Sequence, residues 1–260
     1  TKGSGARYGM FVTFRDGLQT LIYALRDRLN HVRFRLNEHV VRVDKKTNDA
    51  QIPCWSVELK DGKSIEADGV IITGPSPQAA KLLTGVDTEL SRELSEVQYA
   101  SSAVIHLAYR REQVSHPLDA FGFVVPITEK RSIIASSFSS VKYEGRAPEG
   151  YVLLRAFMGG ALHPDMMQYN DKELITAASS DLNNLLGITT APHFAIVHRW
   201  RESMAQYDVG HLQKVAAIRK LLSEHTGLQL AGNGFEGVGI PDCVRAGERA
   251  ADELLTALRL

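Results

Sequence analysis

The sequence predicts an α+β fold containing α/β elements, in two parts that interleave along the chain. Three observations carry this. Residues 69–73 form an almost fully apolar strand, as expected where both faces are covered, and Gly74-Pro75 ends it ahead of a helix through Ala79, Ala80, Leu82 and Leu83. Residues 228–231 form a second apolar strand that runs into a glycine-dense turn and then a helix opening at Pro241, where a missing N–H costs nothing. Between the two, the candidate strands at 101–110, 121–126, 131–137 and 151–158 are separated by short turns, which favours an antiparallel sheet. Residues 1–89 and 226–260 therefore read as one part, and 90–225 as an insertion.

The remaining elements follow in chain order. Leu18, Leu21, Ile22, Leu25 and Leu29 recur at helical spacing, with Arg26, Asp27 and Arg28 on the opposite side, so an amphipathic helix packing on a sheet is expected. Residues 34–44 and 52–59 alternate as strands, with turns at 45–49 and at Asp61-Gly62. Helices are expected at 88–97, 171–186 and 210–225, and a strand at 194–200.

Bulk properties narrow the function classes. At 260 residues the chain is long enough to bury roughly 70–75% of its extended surface. Thirty basic and thirty acidic side chains balance, which removes the electrostatic case for binding nucleic acid. The two cysteines, Cys54 and Cys243, have neither C-x-x-C spacing nor a second pair, which fits a reducing cytoplasm. Nine histidines form no H-x-x-x-H or H-E-x-x-H pattern, so no metal site is expected. No run of about 18 apolar residues occurs, and the polar start at Thr1 lacks the apolar core of a signal peptide.

Residues 232–251 carry the most specific signal. Gly232, Gly234, Gly237 and Gly239 let backbone amides approach a flat ligand, and the helix that follows aims its positive end at the same place. Gly232-Asn-Gly-Phe-Glu-Gly237 matches G-x-G-x-x-G literally. A dinucleotide fingerprint, however, needs a second parallel strand about 20 residues on, and the sequence stops inside the helix at Leu260. A turn that merely tightens strand-to-helix packing would share this spacing.

Glu236-Gly-Val-Gly-Ile-Pro-Asp-Cys243, followed by a small-residue helix, resembles the C-terminal flavin segment of protoporphyrinogen and coproporphyrinogen oxidases. These are flavoproteins of haem biosynthesis in the amine-oxidase-like superfamily. Arg199-Trp-Arg-Glu-Ser-Met-Ala-Gln-Tyr-Asp-Val-Gly-His211 is similar to the family's R-W-x-x-(S/A)-M-P-Q-Y-x-V-G-H, departing at Ala205, where proline is usual. Ala120-Phe-Gly-Phe-Val-Val-Pro126 matches a third segment. Asp16-Gly17-Leu18 keeps half of a helix-start motif, and Val40-Val-Arg-Val43 resembles the strand that meets the adenine.

The resemblance implies an FAD-linked oxidoreductase fold. Residues 1–89 and 226–260 would then be a partial FAD-binding domain, and 90–225 an inserted substrate domain with an antiparallel sheet. The implied cofactor contacts are Val40, Trp200, Val238, Gly239 and Ile240, with Gln206 and Tyr207 shaping the route to the flavin. The implied substrate contacts are Phe121, Gly122 and Val124. Residues alone leave alternatives open: Trp200 could be buried for its area, and Phe121, Phe123 and Val125 could be plain core. No protein acid–base pair stands out, as expected where the flavin carries the chemistry.

The activity implied is oxygen-dependent oxidation of a porphyrinogen, either coproporphyrinogen III or protoporphyrinogen IX, to the porphyrin. Dioxygen would reoxidise the flavin to release hydrogen peroxide. A cytoplasmic location is implied, with room for a peripheral membrane contact and for a homodimer. The sequence corresponds to the C-terminal portion of the family without its N-terminal phosphate-binding fingerprint, so on its own it is expected to hold FAD weakly and to be inactive. An amine oxidase or carotenoid desaturase would share the flavin segment but not Phe121-Gly122. A non-catalytic tetrapyrrole- or partner-binding fragment would show no flavin spectrum.

Overall fold

A computed structural model describes residues 13–47 and 53–259. The described residues form two compact units. One comprises the residues through Arg35 with Ala103–Gly159 and Asp165–His198; the other comprises Leu36–Ser102, Gly160–Pro164 and Arg199–Leu260.

In chain order the elements are α1 (Gln19–Arg28), β1 (Val40–Thr47), β2 (Pro53–Leu59), β3 (Ser64–Ala67), β4 (Val70–Ile72), α2 (Ser76–Leu83) and α3 (Thr88–Ser95). Then come β5 (Tyr99–Arg110), β6 (Gly122–Val124), β7 (Ala135–Phe138), α4 (Ser139–Lys142), β8 (Tyr151–Gly159) and α5 (Asp171–Leu186). The last are β9 (Phe194–Ala205), α6 (His211–Leu222), β10 (Leu228–Leu230) and α7 (Ile240–Leu258). Three sheets result. β1-β2-β3 is an antiparallel meander, β4 pairs with β10 in parallel, and a five-stranded sheet has the order β6-β7-β8-β5-β9.

Each unit has its own core. In the first, alternate residues of β5 (Ile105, Leu107, Tyr109) and β8 (Leu154, Ala156, Met158) face Leu174, Ala178 and Leu182 of α5. Period-two alternation against a helical stripe is the pattern that buries one sheet face. The other collects Val43, Trp55 and Ile72 with Leu83, Leu90 and Ile218. Trp55 is 2% exposed and donates its indole N–H to the Thr226 carbonyl at 3.2 Å.

α5 shows why some boundaries were legible. Asn170 and Glu173 form a reciprocal capping box, and Gly187 closes the helix in the left-handed region, so the element starts and stops where the sequence places it.

Other boundaries moved for identifiable reasons. The strand expected at 34–44 begins only at Val40, because Asn37 adopts φ +61° and interrupts the extended run. At its other end Lys45, Lys46 and Thr47 pair with Trp55, Cys54 and Pro53, so β1 takes in the first three residues of the expected turn; residues 48 and 49 and Ile52 lie outside the described residues. β3 was missed, a four-residue edge strand with only alternate positions sheltered.

The strand expected at 131–137 starts at Ala135 because the buried Asp181 carboxylate claims the preceding amides. Ser132 and Ile133 donate to its Oδ2 at 2.8 and 3.1 Å, and Arg131 pairs with its Oδ1 at 3.3 Å. α1 forms as expected, but its stripe is not buried: Leu18, Ile22 and Leu25 are exposed, so local pattern rather than sheet packing is what the helix shows.

Candidate functional site

The site is built from the β10–α7 turn upward. Ala231 N–H extends the parallel pairing of β4 and β10 by donating to the Ile72 carbonyl at 3.0 Å, and the chain then turns. Two glycines are required there by close approach. A Cβ on Gly234 would come within 2.5 Å of both Ser76 Oγ and Tyr99 Oη. Gly237 sits at φ +151°, and a Cβ there would lie 2.5 Å from Asp242 Cγ. By contrast, Gly239 has φ −74° and caps α7 with backbone alone.

Side chains from three other elements pin this turn. Tyr207 Oη donates to the Asn233 carbonyl at 2.8 Å and accepts from Gly237 N–H at 2.7 Å. Burial is the main reason its hydroxyl is pushed above the ordinary tyrosine value, so it stays a neutral donor at neutral pH. His211, buried at the start of α6, stacks on Tyr207 and places Nε2 3.0 Å from the Phe235 carbonyl. Asn233 is fixed at both ends of its amide: Nδ2 donates to the Ser203 carbonyl at 3.0 Å, and Oδ1 accepts from Tyr99 Oη at 3.3 Å. Tyr99 Oη in turn accepts from Ser76 N–H at 3.3 Å.

Charge around the turn is neutralised locally. Glu236 is paired with Arg219 and with Arg249, and Asp242 with Arg245. What remains outward is Val238, 62% exposed, and Ile240, 52% exposed, at the N-terminus of a 19-residue helix without a side-chain cap. A Cβ-poor backbone edge at a helix N-terminus, flanked by two apolar side chains, suits a flat group carrying electron density on one rim.

The sequence-predicted cofactor residues are thus brought together in part. Val238, Gly239 and Ile240 are consecutive at this helix start. Val40 opens β1, exposed, and Trp200 lies on β9 in the same unit. Trp200 is 57% exposed, which overturns the alternative that it is buried for its area; Trp55 fills that structural role instead. Gln206 donates Nε2–H to the Met204 carbonyl, and its backbone N–H pairs with Gln98, so Tyr207 alone of that pair reaches the turn.

Phe121, Gly122 and Val124 lie in the other unit. Phe121 and Val124 are exposed, while Phe123 and Val125 pack against the core, so the segment is not buried whole. Gly122 has φ +146°, and any Cβ would collide with the Ser136 carbonyl, which gives this glycine a structural reason of its own.

Tyr99, Asn233 and His211 were not singled out by sequence reasoning as members of the site. The asparagine inside the glycine run and the final histidine of the 199–211 segment were visible signals, but their partners are far apart in the chain. Among the described residues no group of three or more His, Cys, Asp or Glu could hold a metal ion, and no helix is long and apolar enough to cross a membrane.

The sequence profile of the family described as flavin containing amine oxidoreductase matches residues 2–255. A coproporphyrinogen III oxidase of Bacillus subtilis (strain 168) is 32% identical over 253 residues, covering 97% of this chain and 52% of the relative. The mitochondrial protoporphyrinogen oxidase of Nicotiana tabacum is 28% identical over 257 residues, covering 95% and 51%. Among solved structures, a protein of Exiguobacterium sp. 255-15 provisionally named protoporphyrinogen oxidase superposes with a TM-score of 0.82 at 26% identity, covering 97% of this chain and 53% of that one. The chain spans about half the length of the curated relatives it matches.

Proposed function

The chain belongs to the family of flavin-containing amine oxidoreductases, and on that premise we propose that it oxidises a porphyrinogen, coproporphyrinogen III or protoporphyrinogen IX, to the porphyrin, with FAD as cofactor and dioxygen as acceptor. The names carried by its relatives support this reading, as does the fit of the β10–α7 turn to a flavin edge. The observation that carries most weight is the rigid placement of Gly237, Val238 and Gly239. Tyr207 holds Gly237 N–H, and Asp242 packs against the bare Cα of Gly237.

When bound, the flavin supplies a two-electron hydride acceptor that dioxygen can reoxidise. The chain's own groups supply position and field. The amide dipoles at the start of α7 would hold the electron-rich edge of the flavin. Glu236 lies close by in sequence, but its two arginine partners offset its charge. The exposed Val238 and Ile240 would shield the ring edge from water, and Trp200 would offer an aromatic face from β9. By role, residues 1–89 and 226–260 are assigned to the flavin part and 90–225 to the substrate part, with Phe121, Gly122 and Val124 against the tetrapyrrole.

The test is an absorbance scan of purified protein before and after FAD is supplied and excess is removed. In the full-length protein a retained, red-shifted flavin band is expected, whereas this chain by itself is expected to hold FAD weakly. Protein that accumulates porphyrin without any flavin band under any FAD concentration would overturn the reading in favour of a non-catalytic tetrapyrrole binder.

A further inference from the structure

The five-stranded sheet has one face on the core and one face open, and the open face carries an unusual row. In register, Gly122 on β6 is opposite Ser137 on β7, and Ser137 is opposite Arg155 on β8. β5 is the next strand, then β9. His106 on β5 feels the charge of Arg155, and its ring meets that of His198 on β9 edge to face, with centroids 5.2 Å apart. Their sequence neighbours Ala156, Ile105, Leu107 and Val197 point the other way, into or against the core. Alternation therefore puts Arg155, His106 and His198 together on the open side.

This row has no acidic member. Residues 103–110, 122–124, 135–138, 151–159 and 194–198 contain Arg110, Arg155, His106 and His198 and not one aspartate or glutamate. Arg155 rests its guanidinium 5.7 Å from the Phe157 ring centroid. Two donors in the row are unspent: Arg155 Nε and Ser137 Oγ are shielded from solvent and have no hydrogen-bond partner among the described residues. A shielded donor without an acceptor is costly, and Arg155 brings a fixed positive charge beside two imidazoles, so this arrangement is poised for an anion. Burial, then His198 and Arg155, hold His106 below the ordinary histidine value, so an anion arriving there gains a group able to take up a proton. Along β8 the same face continues through Leu153 and Tyr151 into a recess of about 480 Å³ lined also by Ala108 and Phe194, apolar for the most part.

Resting on the porphyrinogen reading above, we propose that Arg155, His106, His198 and Ser137 form the subsite for the carboxylate side chains of the tetrapyrrole, while Phe121 and Val124 meet its macrocycle. A ligand that pairs an apolar ring with peripheral carboxylates matches a face that pairs apolar surface with an arginine flanked by two imidazoles and a hydroxyl. Arg155 is the anchor, since a guanidinium presents a two-pronged donor to a carboxylate.

Coproporphyrin, the stable fluorescent tetracarboxylate product, and its tetramethyl ester separate the two claims. Each is titrated by fluorescence, in one dilute detergent, into the parent protein, Arg155→Gln, Arg155→Lys and His198→Gln. The expected result is that Arg155→Gln binds the acid about tenfold more weakly and the ester unchanged, that Arg155→Lys recovers part of the loss, and that exposed His198→Gln costs about threefold for the acid. Equal acid affinity in parent, Arg155→Gln and His198→Gln would overturn the carboxylate subsite while leaving the tetrapyrrole reading intact. If neither acid nor ester binds the parent, both fall. Should Arg155→Gln fail to fold, His198→Gln decides by the same acid-to-ester ratio.

Discussion

The rings of Tyr207 and His211 lie 4.1 Å apart and 11° from parallel, and each ring holds a different point of the same turn. Tyr207 reaches Asn233 and Gly237, and His211 reaches Phe235, so alternate residues of the turn are fixed from one side. The four-residue spacing of these two side chains in the 199–211 segment thereby gains a mechanical meaning: it holds the backbone edge that the flavin reading requires.

Tyr207→Phe removes both hydroxyl bonds but keeps the stack. At about 0.5–1.5 kcal/mol for each bond, a stability loss of about 1–3 kcal/mol is expected, with a larger fractional loss of retained flavin than of folded protein. Urea unfolding and flavin absorbance measured on the same sample check this. Unchanged flavin content would show that the turn's rigidity is irrelevant to the cofactor.

Gly237 and Gly239 separate geometry from contact. Gly237→Ala places a Cβ on the Asp242 carboxyl at a φ that side chains rarely adopt, so poor folding yield is expected. Gly239→Ala, with ordinary φ and its nearest contact at 3.0 Å on a movable carboxylate oxygen, should fold nearly as the parent yet retain less flavin. Thermal melting beside flavin content tells the two apart. The reverse order of stabilities would contradict the assigned geometry.

Much of the fold was legible because local signals agreed with tertiary packing. α5 carries its capping box and terminal glycine in sequence, and the 69–73 and 228–231 runs mark the strands β4 and β10, whose parallel pairing the structure adds. What escaped was long-range. Nothing near Ser132 says that Asp181, about fifty residues on, will take its amide, and nothing near Asn233 names Tyr99 as its partner. The apolar stripe of α1 predicted burial, yet period reports only which side is apolar and not what will cover it. The Arg155–His106–His198 row was invisible for the same reason, since these residues become neighbours only through strand order.

Asp87 gives a pH test of the second unit. As N-cap of α3 it accepts from Leu90 and Glu89 N–H at 2.9 Å each, and its other oxygen meets His225 Nε2 at 2.8 Å. The Leu90 amide is the leading cause, with His225 contributing, that holds the carboxyl below the usual carboxylate range against the opposing effect of burial. A depressed folded value stabilises above the unfolded pKa of about 4 and is lost as pH falls through the folded one. Asp87→Ala should therefore cost about 1–2 kcal/mol near neutrality, and the gap should shrink below about pH 4. A gap independent of pH in urea titrations would refute the assignment.

Phe121→Ala probes the proposed substrate face. The side chain is 57% exposed, so its loss should leave the melting temperature within about a degree or two while raising the Michaelis constant for coproporphyrinogen. A lost stacking face of about 1 kcal/mol or more beyond buried area implies roughly a fivefold rise, since about 1.4 kcal/mol is tenfold. Identical constants in variant and parent would place the macrocycle elsewhere.

The central claim is that this chain's β10–α7 turn serves a flavin that oxidises a porphyrinogen. The most direct measurement mixes the flavin-loaded full-length protein with coproporphyrinogen in the absence of oxygen and follows the flavin band. The account predicts that the band bleaches as porphyrin absorbance appears and returns when air is admitted. A flavin that stays oxidised while porphyrinogen remains unconsumed would contradict it.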